Sequence, residues 1–143
     1  VEFKGTERNA EFVTYGGGHT DSDAFLYLPA ERIIFTGDLL VVKNHPDLTS
    51  GHPREWLNIL ARIKTLNPAR LVPGHGGLAT GDDIVAKERY INKLIQMAEQ
   101  NLHEGGTAES AAAMPPPALT QGLDNEDAFE RNMRFLHQEV QRK

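Results

Sequence analysis

Residues 33–40 have the sequence IIFTGDLL, in which a short apolar run is followed at once by a glycine and an acidic residue. Such a run predicts a strand that ends in a polar side chain on a glycine turn. Two more β-prone runs precede it, EFVTY at 11–15 and AFLYL at 24–28, and the turn segments GGG and PAE separate the runs. Because only three residues separate the second run from RIIFT at 32–36, we predict an antiparallel hairpin there.

Downstream of residue 36 the pattern predicts helices. Residues 37–52 are rich in turn formers and are predicted as a loop. Pro53 suits the first turn of a helix that ends before Pro68, with apolar residues spaced by three and four. A short strand at 70–73 follows, and a second helix begins after Thr80, with Asp83 forming a capping-box-like pair, and ends at the Gly105-Gly106 pair.

The remaining segments suggest a division into three parts. Residues 105–123 are rich in small residues and proline, which predicts an extended connector. A last amphipathic helix starts near Asn125 and places Phe129 and Met133 inward. We therefore expect a domain at 1–104, a Pro/Ala-rich connector at 105–123 and a C-terminal helix within 124–143 that packs on the domain.

The fold class predicted from this order is α/β, or α+β-like, with one mixed sheet flanked by helices. The strands show little polar alternation, which favours a sheet buried on both faces. Two consecutive helices cover one face only, so we expect the other to be covered by the 125–141 helix or by another polypeptide. Trp56, Phe129 and Phe135 lie on helical stripes and are interpreted as core residues.

Composition excludes several classes of function. The 143 residues carry a formal net charge of −5 without a basic run, which argues against sequence-independent binding to nucleic acid. No apolar run approaches the ~18 residues of a membrane span. The absence of cysteine excludes thiolate zinc sites, Fe–S clusters and cysteine nucleophiles. Any metal must therefore be bound by His, Asp or Glu.

Three segments share one design, in which an apolar run is followed by a glycine-flanked His or Asp. These residues are His19, Asp38 and His75. Side chains on short glycine loops at strand ends can meet at one edge of a sheet. Imidazole nitrogen and carboxylate oxygen are the ligands that zinc and similar ions prefer. Each motif alone is weak, because a histidine in a glycine turn is commonly a surface residue and an aspartate there commonly caps the turn.

Together, the three motifs resemble the C-terminal half of the metallo-β-lactamase superfamily. The matching stretches are GHTDSD at 18–23 followed by FLYLP, IIFTGDLL at 33–40, LVPGHG at 71–76, and PREWL at 53–57. The resemblance implies half of an αββα sandwich with a metal site at its edge. It implies that His19 completes the ligand set of a first zinc, that Asp38 bridges two zinc ions, and that His75 binds the second.

The resemblance also implies hydrolysis by a metal-bound hydroxide, with no catalytic side chain beyond the metal ligands. The sequence departs from the family pattern because an upstream His-x-His-x-Asp-His cluster is missing from the 143 residues. We therefore expect a zinc-dependent hydrolase represented by its C-terminal half, which needs a complementary N-terminal half. The alternative is a catalytically inactive homodimer of half-domains that binds metal weakly or not at all.

Other polar residues are weaker candidates. Asp21 and Asp23 could orient His19, but capping of their own loop is favoured. His45 and His52 lie in the loop near the predicted site, where solvent exposure is favoured over contact with substrate. His103 and His137 are expected at the surface or at a helix end.

Partners and compartment are only partly constrained. The expected partners are the complementary half or a second copy of the chain, and a small-molecule substrate if the chain is active. Neither nucleic acid nor a membrane is favoured. A cytoplasmic location is expected, although the lack of cysteine equally fits an exported protein whose leader has been removed.

Overall fold

A computed structural model describes residues 1–142 and confirms the α+β class. Strands dominate the first part of the chain and helices the second. In chain order, the elements are β1 (Glu2–Lys4), β2 (Asn9–Gly16), β3 (Asp23–Leu28), β4 (Ile33–Val41), α1 (Pro53–Thr65), β5 (Arg70–His75), α2 (Gly81–His103), α3 (Ala108–Ala112), a 3₁₀ turn (Ala118–Thr120) and α4 (Asp127–Gln141).

The described residues form one mixed five-stranded sheet in the order β1-β2-β3-β4-β5. The first four strands are antiparallel neighbours, which confirms the predicted hairpin of β3 and β4, whereas β5 pairs parallel to β4. The loop predicted from residue 37 begins too early, because β4 continues to Val41, where it pairs with His75 of β5. Pairing with a strand 34 to 37 residues later therefore keeps this glycine-containing segment extended.

The two long helices begin where their first residues predict. Pro53 is the first residue of α1, and Thr80 is the N-cap of α2. The Thr80 backbone N–H donates to the Asp83 carboxylate over 2.8 Å, which is half of the expected capping box. Local sequence therefore determines where both helices start.

The hydrophobic core lies between the sheet and helices α1 and α2. Phe25, Ile34 and Leu71 point from three neighbouring strands toward this layer and are buried. Trp56 and Phe129 are buried in the same core, as predicted, and Phe135 is partly buried against it. One sheet face and all four α-helices therefore share a single apolar core.

The opposite face of the sheet is open in this chain, so the alternative that the 125–141 helix covers it is wrong, whereas cover by another polypeptide stays a prediction. Phe12, Leu26, Phe35 and Val72 form a row in register across four strands on this outer face. Phe12 is 51% exposed and Phe35 40% exposed. Helix α4 does not cover them, because it packs on α2 and α3. Within residues 1–142, the outer face is an exposed apolar surface.

The proline-rich connector is more ordered than its composition predicts. Residues 108–112 form helix α3, and Thr107 caps it by accepting a 3.2 Å hydrogen bond from the N–H of Ser110. Ala111 is fully buried. The expectation of a purely extended connector is therefore wrong for this part, because a cap and an apolar contact with α4 stabilise a short helix. The division at 104 and 123 stays a prediction, and Lys143 lies outside the described residues.

None of the helices found in residues 1–142 has the length and apolar character needed to cross a membrane.

Candidate metal centre

Asp38 and His75 meet where β4 and β5 end. The carboxyl ends of parallel strands lie at the same edge of a sheet, and here β4 carries two register irregularities between Phe35 and Val41. Asp38 lies in this irregular part of the strand. Its Oδ1 atom is 3.4 Å from Nε2 of His75, and both side chains are exposed to solvent. Two of the three predicted ligands are therefore direct neighbours.

Gly74 makes this approach possible. A Cβ atom at Gly74 would lie 2.0 Å from Oδ1 of Asp38 and 2.9 Å from its backbone nitrogen. No side chain fits there without moving the carboxylate. The glycine before His75 therefore determines where Asp38 can lie.

His19 lies on the loop between β2 and β3, which Asp23 organises. The Asp23 carboxylate accepts hydrogen bonds from the N–H groups of Gly18 and Thr20, over 2.7 and 3.1 Å, and from the Thr20 hydroxyl over 2.8 Å. The loop-capping interpretation of Asp23 is therefore confirmed. Asp21 instead lies 3.1 Å from Nε2 of His52.

The beginning of α1 links this loop to β4. The backbone N–H of His52 donates to the carbonyl of Gly18 over 2.8 Å. The indole N–H of Trp56 donates to the carbonyl of Leu39 over 3.0 Å, and the ring of His19 packs edge-on against Trp56 with 5.4 Å between centroids. Trp56 thus contacts both the His19 loop and the strand end that carries Asp38.

The three predicted ligands line a single cleft of about 330 Å³. Its other lining residues come from the end of β4, from the segment that follows it and from the residue two positions before α4: Val41, Asn44, His45, Pro46, Asp47 and Asn125. No set of three or more His, Asp or Glu side chains in the described part of the chain is close enough to hold one ion. The donor types fit zinc, and Asp38 with His75 forms a close pair, but the set is incomplete.

A second cavity, of about 200 Å³, lies between α1, α2 and α4. Its lining includes His52 but none of the three predicted ligands. The cleft at the sheet edge is therefore the better candidate, because it combines strand-end carboxylates and imidazoles on glycine loops.

The remaining histidines divide between surface and interior. His52 and His103 are exposed, as expected. The predictions for His45 and His137 are wrong, because these residues are only 5% and 4% exposed. The cause is the same for both: α4 packs over α2 and the loop after β4, and neither contact is visible in the local sequence pattern.

The cleft wall carries several groups with shifted pKa values. Burial acts to raise the pKa of Asp47, but hydrogen bonds from Thr49, with Arg131 and His19 nearby, outweigh it and lower the pKa. Burial, assisted by Lys87, lowers the pKa of His45. Asp47 is therefore held as a carboxylate and His45 as a neutral imidazole.

Lys87 is itself buried, and burial lowers its pKa to about 7, against the opposing effect of Asp83. Its ammonium group donates to the carbonyl of Asn44 over 3.4 Å. Sequence reasoning missed it, although it occupies a core position between Ile84 and Ile91 on the apolar stripe of α2. A lysine on such a stripe is a signal that could have identified it.

Sequence reasoning also missed three residues at or near the cleft that are far from its other lining residues in sequence. These are Asn125, which lines the cleft, and Tyr90 and Asn132, which lie behind it. Tyr90 and Asn132 lie on helical stripes and carry no motif of their own. Only the packing of α2 against α4 brings them to the loop after β4.

We predict that Gly74→Ala lowers the free energy of unfolding by about 1–3 kcal/mol, because the added methyl group would overlap the Asp38 carboxylate. Gly77→Ala is the matched control, since nothing lies within 4 Å of its added Cβ. Urea unfolding of both variants measures the difference. Equal stability of the two variants would contradict the close packing described here.

We predict that Lys87→Met removes a pH-dependent part of the stability. The unfolded chain binds more protons than the folded chain between about pH 7 and pH 10.5, so Lys87 makes stability rise with pH through this window. The variant should exceed the wild type in stability most at and below about pH 7, and the difference should shrink toward pH 10.5. Urea unfolding across this range tests it, with the exposed Lys93→Met as control; a difference that is constant with pH would refute it.

Comparison with known proteins identifies the family to which this chain is similar. The family model described as metallo-beta-lactamase superfamily matches residues 1–75, more than half of the chain, and ends at His75. A curated relative, beta-lactamase-like protein 2 homolog from Caenorhabditis elegans, is 35% identical over 119 residues, which cover 76% of this chain and 39% of the relative.

Solved structures show the same fold. A metallo-beta-lactamase family protein from Thermus thermophilus superposes with a TM-score of 0.71 at 18% identity, covering 99% of this chain and 47% of that one. A metallo-beta-lactamase from Pontibacter korlensis gives a TM-score of 0.59 at 23% identity, with 64% and 45% covered. The chain thus spans less than half the length of these relatives. By the family match and by its fold, this chain belongs to the metallo-β-lactamase superfamily.

Proposed function

We propose that this chain supplies the C-terminal half of a zinc-dependent hydrolase, with His19, Asp38 and His75 as its zinc ligands. One observation carries the proposal: side chains from the β2–β3 loop and from the C-terminal parts of β4 and β5 line one cleft, and Asp38 and His75 are 3.4 Å apart there. The names of the relatives, a metallo-beta-lactamase and a beta-lactamase-like protein, support hydrolysis as the reaction class.

Each ligand has a distinct structural support in the cleft. Gly74 leaves the space that the Asp38 carboxylate occupies, and the Asp23-capped loop and Trp56 hold His19 at the opposite side. Zinc held by these residues would act as a Lewis acid toward the substrate and the attacking water. The chain itself would contribute the walls that position the substrate, including Asp47 and His45.

We further propose that a complementary N-terminal half completes the site. The ligand set is incomplete within residues 1–142, and the chain corresponds to 39–47% of the length of its relatives. The same half would cover the outer sheet face, where Phe3, Phe12 and Phe35 are exposed. Each of these side chains is already about half buried, so completing its burial would contribute roughly 1 kcal/mol, which supports association of the two halves.

We predict zinc-dependent hydrolysis only when both halves are present. The part of the C. elegans relative outside the aligned region, produced separately, would be mixed with this chain and zinc. Chromogenic ester, lactone and β-lactam substrates should then be turned over, and a chelator should stop the reaction.

The variants give this experiment its controls. His75→Ala should abolish the activity, whereas His103→Ala, an exposed residue far along α2, should retain it. A mixture that forms a complex by mass but hydrolyses none of the substrates would overturn the proposed activity.

The exposed outer face favours a second candidate, an inactive homodimer of half-domains. Two copies could bury Phe12 and Phe35 against each other around a two-fold axis. Light scattering across a concentration series distinguishes the candidates. Under this alternative, the chain is a dimer that Phe12→Ser dissociates, whereas a strictly monomeric chain at every concentration excludes it.

A further inference from the structure

His45 lines the same cleft as the three predicted ligands. Most of its side chain is nevertheless buried in the interior behind the cleft. Its backbone N–H donates to the carbonyl of Asp124 over 3.1 Å, which ties the loop after β4 to the segment before α4. Its Nδ1 atom lies 2.6 Å from the hydroxyl oxygen of Tyr90, on α2. The backbone of His45 and its ring are therefore each held by one hydrogen bond.

The orientation of Asn132 determines how the protons are arranged behind His45. Its Oδ1 accepts from the N–H of Leu48 over 2.9 Å, and its Nδ2 donates to the carbonyl of Pro46 over 2.8 Å. The Leu48 N–H can only donate and the Pro46 carbonyl can only accept, so these two groups assign the oxygen and the nitrogen of the Asn132 amide. The Nδ2 group also lies 3.3 Å from the Tyr90 hydroxyl and donates to it.

Tyr90 then has one proton to place. Its hydroxyl is buried, and buried hydroxyl protons find an acceptor. The Asn132 group is a donor, so the acceptor is Nδ1 of His45. A neutral imidazole that accepts at Nδ1 carries its proton on Nε2.

The Nε2 atom of His45 is the part of the ring that opens to the cleft. Within the described chain this atom makes no hydrogen bond, and it is not fully buried. It is therefore accessible from the cleft that His45 lines. Burial and the nearby Lys87 lower the pKa of His45, against the opposing charges of Glu126 and Asp127, so the ring is neutral near pH 7. The cleft is therefore lined by an uncharged N–H donor.

We propose that His45 is a substrate-binding residue whose Nε2–H donates to a neutral oxygen acceptor of the substrate, such as a carbonyl, and that Tyr90 and Asn132 are its positioning residues. The carboxylate of Asp47, which is not one of the proposed zinc ligands, lines the same cleft and disfavours an anionic group beside this donor. The identity of the occupant as a substrate rests on the proposed function; the arrangement of protons does not.

The first test is the ring nitrogen spectrum of the ¹⁵N-labelled chain near neutral pH, with the His45 signals assigned by their loss in His45→Gln. We expect a protonated Nε2 and an unprotonated Nδ1. Tyr90→Phe should shift the Nδ1 signal, because its hydrogen bond is lost, whereas Tyr27→Phe, on the sheet, should leave it unchanged. A protonated Nδ1, a ring cation, or an Nδ1 signal unaffected by Tyr90→Phe would overturn the proposal.

The second test uses the zinc-loaded protein with its complementary half. Loss of one hydrogen bond to the substrate in His45→Phe should lower kcat/KM by about tenfold, mainly through KM. His45→Gln, whose amide N–H can replace Nε2–H, should recover part of it, and the exposed His103→Phe should match the wild type. Equal losses in both His45 variants, or none, would overturn the binding role. Absence of hydrolysis in the wild type would refute the proposed function instead. The ring nitrogen spectrum alone would then test whether His45 presents its Nε2–H to the cleft.

Discussion

Asp38 can lie beside His75 because β4 and β5 run parallel and because Gly74 has no side chain. Parallel pairing brings both carboxyl ends to one edge of the sheet, and the irregular register of β4 turns Asp38 toward its neighbour. Every other part of the candidate site is arranged around this contact. The His19 loop approaches it from β2 and β3, and the segment after β4 closes it from the far side.

Helices α1 and α4 connect this edge to the core. Trp56 is fully buried, yet its indole N–H reaches the end of β4 and its ring contacts His19. Asn132 of α4 is equally buried and holds the loop after β4 through two backbone hydrogen bonds. A substitution in the helical core would therefore alter the site as well as the stability, because the same residues serve both. The outer sheet face lies on the other side of the same strands, and α4 does not cover it.

Much of the fold could be predicted because local chemistry specifies it. Pro53 and Thr80 set the helix starts, and the β-prone runs set the strands and the hairpin. The grouping of His19, Asp38 and His75 at one cleft follows from glycine loops at strand ends. The metal-binding role of these residues stays a prediction.

The features that sequence reasoning missed depend on contacts between distant segments. His45 is buried because Tyr90 and Asn132, 45 and 87 residues further along the chain, meet at its ring and its loop. His137 is buried by the same packing of α4. The position of α4 was mispredicted for a related reason: apolar strands predict that the outer face is covered, but not which polypeptide covers it.

The central claim is that this chain carries half of a zinc site at the edge of its sheet. Elemental analysis of this chain in complex with its complementary N-terminal half, after equilibration with zinc, tests it most directly. We expect the complex to bind zinc, His75→Ala and Asp38→Ala to lower its zinc content, and the exposed His103→Ala to leave it unchanged. A zinc content that the His75 and Asp38 variants do not change, or no zinc in a wild-type complex that forms by mass, would contradict it.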